Sequence, residues 1–179
     1  MVACAKDCWE RGSILKINPR YADVYRLAAE VSSHNYHYIE AADFARRATM
    51  TDPDDASASA ALGLQLLRTG DEPGARVALE RAFKGDPYDV VTYNLLSMMD
   101  SLDKFVTVRD TNVVVRMSPD EAPVMRDYVV AFAKDSLAKL SKQWNFTPQG
   151  PILVEMFPKH DDFAVRTMGL PGMIGALGV

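Results

Sequence analysis

Three prolines constrain this chain more than any other feature. Pro19, Pro53 and Pro87 sit in stretches that look alike, "KINPRYADVY", "MTDPDDASAS" and "KGDPYDVVTY", at a spacing of 34 residues and then 34 again. A fixed period of this length means one supersecondary unit repeated along the chain. Such a unit cannot bury its apolar face alone, so successive copies must stack on one another.

The residues between the prolines fit two helices per unit. In the unit closing at Pro87, Leu62, Gly63 and Leu66 share a face of the first helix. A turn follows at "RTGDEPG", residues 68–74, with Gly70 inside it. Ala75, Leu79 and Ala82 share a face of the second helix. Small residues at 63, 75 and 82 let two antiparallel helices approach closely. The unit closing at Pro53 keeps Tyr25, Ala29, Ala41 and Ala48, but carries Ser32 and Ala45 where bulkier residues are expected. A second helix over about residues 4–16 precedes Pro19. A helix over about 89–102 follows Pro87, with Tyr93 and Leu96 on its packing face. The unit closing at Pro87 resembles the tetratricopeptide (TPR) pattern at nearly every signature position, and the one closing at Pro53 resembles it more loosely; together the resemblance covers most of residues 1–103. The resemblance implies an α-solenoid of half a repeat, two full repeats and a closing helix.

The totals set wider bounds. Of the 179 residues 48% are hydrophobic and 25% charged, ordinary values for a chain that folds around a core. The net charge is −4 and no Lys/Arg run exceeds two residues, which argues against nucleic acid as a partner. No apolar run approaches the roughly 20 residues of a bilayer span. The opening "MVACAKDCWERGSILKINP" has charges every few residues and no signal-peptide pattern. The expectation is a soluble chain, cytoplasmic or, with a signal upstream of these residues, periplasmic. Cys4 and Cys8 lie one helical turn apart and read as small, packed side chains. Two lone thiols are far from the four ligands of structural zinc.

From Lys104 the grammar changes. "KFVTVRDTNVVVRM" alternates and is rich in Val, predicting one or two strands around a turn at "DTN". "SPDE", residues 118–121, reads as a capping box with Pro119 at the first helical position. The helix predicted behind it spans about 119–144, with Met125, Tyr128, Val129, Phe132, Leu137, Leu140 and Trp144 at helical spacing. Pro123 is tolerable in its first turns. "ILVEMF", 152–157, predicts a strand between two prolines, and "HDDFAVRTMG" a short helix ending at Gly169. "LPGMIGALGV" reads as a loop leading into a strand. Residues 104–179 thus predict a small α/β (α+β) unit of order β(β)-α-β-α, with an unpaired sheet edge.

The segments "DKFVTVRDTNVVVRM", "FTPQGPILVEMFPKHDDFAVRTMGLPG" and "IGALGV" resemble the start of a peptidase MA-like domain, a gluzincin-type zinc metallopeptidase domain that follows TPR arrays in many bacterial proteins. The resemblance implies a further helix carrying His-Glu-x-x-His and a downstream Glu ligand. No such motif occurs here, and the only histidines are His34, His37 and His160. No catalytic residue and no metal ligand is therefore carried over. The implied zinc belongs to a longer parent, and this chain is expected to bind no cofactor of its own. "IGALGV" is expected to be a strand whose neighbours lie beyond Val179.

Other clusters have plainer readings. "HNYH", His34 to His37, reads as an inter-helix turn rather than a metal pair. "KHDD", 159–162, reads as a helix N-terminus stabilised by capping and the dipole. Gly169, Gly172 and Gly175 complete neither a P-loop nor a dinucleotide fingerprint. Met98, Met99, Met117 and Met125 read as core filler. The binding candidate is the face formed by first helices, which lines the concave side of such arrays. On this register Arg26, Glu30, Ser57, Leu64, Arg68, Asn94 and Met98 face the groove or its edge. The expected function is protein interaction, with a protein or peptide partner or a neighbouring domain. The alternatives are a fragment of a zinc peptidase or a metal-free structural relative of one.

Overall fold

The computed structural model describes residues 13–172 and Gly178. The chain divides into two compact units between Leu96 and Ser97. Cys4, Cys8, most of the helix predicted over 4–16, Gly175 and nearly all of the predicted closing strand lie outside the described residues.

The first unit is helical. Its elements are α1 (Ser13–Ile17), α2 (Asp23–His34), α3 (Tyr38–Thr51), α4 (Ala56–Thr69), α5 (Glu72–Gly85) and the start of α6 (Val90–Leu102). Packing runs from α2 to α3, α3 to α4, α4 to α5, and from α2 to α4. The 34-residue period is written into the backbone of the connections. The N–H groups of Asn18, Asp52 and Asp86 donate to the carbonyls of Ile14, Ala48 and Ala82 at 2.9, 3.0 and 2.8 Å. The Oδ1 atoms of the same three residues accept the N–H two residues on, from Arg20, Asp54 and Tyr88, at 3.1, 3.3 and 3.0 Å. Each Asn/Asp-Pro pair therefore closes one helix with an Asx-turn. Asp55 and Asp89, again 34 apart, then cap the following helices through the N–H groups of Ser57 (2.8 Å) and Thr92 (3.1 Å). Side chains link successive connections: the Arg20 guanidinium donates to Asp52 and Asp54, and Arg81 donates to the Pro53 carbonyl.

Alanine dominates the interior. Ala29, Ala41, Ala42, Ala45, Ala48, Ala58, Ala75, Ala78 and Ala82 are all buried, with Leu66, Leu67 and Leu79 between them. Short side chains set a close inter-helix approach, as the spacing of small residues predicts. On α6 the buried positions are Thr92, Leu95, Met98, Met99 and Leu102. Tyr93 is exposed and Leu96 half-buried, so the packing face lies one residue away from the predicted one. Thr92, Leu95, Met99 and Leu102 repeat at three- and four-residue steps, the spacing that keeps one stripe inward. Tyr93 lies instead against Phe83, ring centres 6.4 Å apart.

The second unit holds a three-stranded sheet of order β1-β2-β3, made of β1 (Val106–Asp110), β2 (Val113–Met117) and β3 (Ile152–Met156). β1 and β2 form an antiparallel hairpin that pairs Val106 with Met117 and Asp110 with Val113. β2 and β3 run parallel, Val113 beside Ile152 and Met117 beside Met156. α7 (Ala122–Trp144) makes the crossover that a parallel pair requires. Val113, Val115 and Met117 form the core with Ala122, and Met125, Val129, Val130, Ala133 and Leu137 pack on it. On alternate positions of β2 and β3 sit Arg116 and Glu155. The Glu155 carboxylate accepts from Arg116 at 3.1 Å and from Arg166 of α8 (His160–Met168) at 2.8 Å.

Two expectations for α7 are corrected. It starts at Ala122, not 119. Ser118 Oγ accepts the Asp120 N–H at 3.3 Å in a turn, and Glu121 makes no side-chain cap, so the predicted capping box does not form. A start at 119 would place the Pro123 ring against the carbonyl four residues back. Starting at 122 puts that proline in the first turn, where it costs little. Tyr128, Phe132, Leu140 and Trp144 are exposed rather than on the packed face. Tyr128 and Phe132 each come one residue before Val129 and Ala133, which pack on the sheet, and so stand about 100° around the helix from that face. Leu140 and Trp144 lie in the last turns of a 23-residue helix, about 34 Å long. Five-residue strands cover only about 17 Å of it. Among the described residues no helix is long and apolar enough to cross a membrane.

Candidate binding groove

Helices α2 and α4 carry the wall of a groove of about 1000 Å³, which Tyr36 and Tyr38 at the connection into α3 also line. Five of the sequence-predicted site residues line it: Arg26 and Glu30 from α2, and Ser57, Leu64 and Arg68 from α4. These positions meet because α2 and α4 pack on one another as well as on the helix between them. Asn94 is half-buried and not part of this lining, and Met98 belongs to the second unit and is 1% exposed.

The groove's charges are mostly paired within it. Arg26 binds Asp23 at 2.8 Å, and His34 Nε2 lies 3.8 Å from Glu30. Arg68 differs. Its guanidinium donates to Ser33 Oγ on α2 and stands over the Tyr38 ring of α3, 5.9 Å from the centre. A hydroxyl and an aromatic face hold it in position, and among the described residues no carboxylate pairs with it.

Sequence reasoning did not single out three residues at this corner. Tyr36 adopts φ 62°, the left-handed region, and is 79% exposed. Its connection repeats the one 34 residues later. The N–H groups of Tyr36 and His37 donate to Ser33 and Ser32. Those of Gly70 and Asp71 donate to Leu67 and Leu66. The left-handed position is thus glycine in one copy (φ 83°) and tyrosine in the other. Tyr38 meets Tyr36 edge to face at 6.2 Å. Gln65, one turn before Arg68, is 4% exposed, and its Oε1 has no hydrogen-bond partner among the described residues. Aligning the chain on its own period exposes two of these: Tyr36 aligns with Gly70, and Gln65 aligns with Val31 and Met99.

The other clusters hold no chemistry of this kind. His37 Nδ1 lies 3.5 Å from Glu40, while His34 faces Glu30, so the two histidines turn to different carboxylates. His160 and Asp161 begin α8. Among the described residues no group of three or more His, Cys, Asp or Glu is placed to hold a metal ion. Compared with protein-family models the chain matches none, and no curated protein matches it.

Proposed function

We propose that residues 1–103 are a TPR-type interaction module whose α2–α4 groove docks a segment of a partner protein. The observation that carries this reading is the convergence of Arg26, Glu30, Ser57, Leu64 and Arg68 on one groove. The triplicated 34-residue connection supports the TPR assignment, since stacked helical hairpins of this period present such grooves. The test is binding of the full chain to an array of immobilised synthetic heptapeptides of randomised sequence. Wild type is expected to bind a subset of the peptides. Leu64→Lys, folded by circular dichroism, is expected to bind few or none. A charge reversal at the exposed, non-lining Glu80 is expected to bind as wild type does. Equal binding by all three proteins overturns the reading.

The second reading concerns residues 104–179 as the opening part of a zinc peptidase-like domain. The observed order β-β-α-β-α favours it, together with the resemblance of its segments. On this reading the present residues act as scaffold and lack the metal ligands. A zinc titration of this chain followed by calorimetry is expected to give no stoichiometric site. Tight one-to-one binding overturns that assignment, and a metal-free structural relative remains the alternative.

A further inference from the structure

Three features at the corner of the groove are not needed by the fold. The first is Tyr36. A glycine serves the same backbone position 34 residues later, while a bulky residue there costs about 1–2 kcal/mol of left-handed strain. Burial does not offset this, because the ring is exposed. The second is Gln65, which stands in register with Val31 and Met99. Of the two, Met99 is buried like Gln65 and apolar, yet Gln65 buries an acceptor with no partner among the described residues, and an orphaned polar atom is destabilising. The third is Arg68, held by Ser33 and Tyr38 and given no carboxylate among the described residues.

These features point to one ligand chemistry. Gln65 Oε1 calls for an N–H donor. Its terminal amide torsion is soft, so the group turns toward an incoming donor at little cost. Arg68 calls for a carboxylate. On a helix face residues three apart stand about 5–6 Å from one another. A terminal carboxylate is separated from its own N–H by a single Cα, too short a reach for both sites. The side-chain carboxylate of a glutamate, at the end of two methylenes, spans the gap from its own main-chain N–H. Tyr36 then flanks the residue with an amphipathic surface that loses little entropy on contact.

We propose that this corner is a subsite for an internal glutamate in an extended segment of a partner protein, with its main-chain N–H on Gln65, its carboxylate on Arg68 and its flanking residue against Tyr36. The inference rests on the reading of the groove as a docking surface. Charge complementarity selects the occupant: of the two arginines in the groove's described lining, Arg26 already faces the Asp23 carboxylate and Arg68 faces none among the described residues.

The test uses the full chain and four sets of immobilised heptapeptides with randomised flanks. Three sets are acetylated and amidated, with Glu, Gln or Lys at the centre. The fourth has central Gln and a free C-terminal carboxylate. Wild type is expected to bind the Glu set at least about tenfold more strongly than the Gln set, the discrimination of one charge-assisted hydrogen bond, and to bind the Lys set least. Arg68→Met keeps the stem over Tyr38 and is expected to lose the Glu preference while still binding peptides. Gln65→Leu, a second variant without the guanidinium change, is expected to weaken binding to the Glu and Gln sets alike. Equal binding of the Glu and Gln sets overturns the glutamate subsite and leaves the docking groove standing. Binding that follows the free C-terminus alone also overturns it. Failure of wild type to bind any set overturns both readings.

Discussion

Gly63 lies directly against Leu79. A methyl group on Gly63 would stand 2.5 Å from Leu79 Cγ, 2.7 Å from its Cδ2 and 3.3 Å from the Ala75 carbonyl oxygen. Helix propensity alone favours alanine over glycine by about 1 kcal/mol, but the fully buried Leu79 has little room to yield. Gly63→Ala is therefore expected to destabilise the fold by about 1–3 kcal/mol through overpacking, read as a lower urea midpoint. The equivalent pair 34 residues earlier is Ala29 with Ala45, both buried, so the same space is divided differently. Leu79→Ala alone should cost about 2–5 kcal/mol. The double variant should cost at least about 1 kcal/mol less than the sum of the two singles. Strict additivity would show that the two side chains do not compete for that space.

Tyr36→Gly is expected to stabilise the protein by about 1 kcal/mol, because glycine adopts the left-handed conformation without strain. The same substitution should weaken peptide binding. Thermal unfolding and peptide binding measured on one preparation check both. A destabilised variant would mean the ring contributes more to the fold, through Tyr38, than its backbone costs.

Glu155 is about nine-tenths buried between Arg116 and Arg166. Glu155→Gln leaves two guanidinium groups in a half-closed site without their common carboxylate. The expected loss is about 3 kcal/mol, measured by denaturant unfolding. A loss below about 1 kcal/mol would place the cluster with surface ion pairs.

The Asp110 carboxyl is held below its ordinary range, first by Lys134, whose Nζ donates to both oxygens at 3.0 Å, then by the N–H and hydroxyl of Thr111. A carboxylate with a depressed folded pKa binds protons more readily when unfolded. It stabilises above the unfolded value and loses that contribution as pH falls through the folded one. Asp110→Asn should therefore lower Tm at neutral pH. The gap from wild type should close as pH drops below about 4. A gap independent of pH would assign the effect to the turn rather than to the charge.

The helical unit was legible in the sequence because its connections are short-range chemistry. Asn18, Asp52 and Asp86 each close a helix through atoms within four residues, so the period in the sequence is the period in space. Helix α7 was less legible. Its start depends on where Pro123 is tolerated rather than on the capping residues at 118–121. Its packed face depends on how much sheet lies beneath it, and neither is local. The same holds for the groove. Arg26, Glu30, Leu64 and Arg68 followed from the register, whereas Tyr36 and Gln65 matter for what the fold does not ask of them. The 34-residue period marks both as departures from their counterparts, but what each costs shows only in a backbone angle and a missing partner.

The paired connections at Tyr36 and Gly70 amount to a controlled experiment in redundancy. Duplication leaves two corners with one architectural task. The copy at Gly70 keeps the residue that suits the backbone, and that frees its twin to drift toward a costlier residue with a surface to offer. In a repeated chain innovation should therefore be sought where one copy departs from its siblings against its own conformational interest.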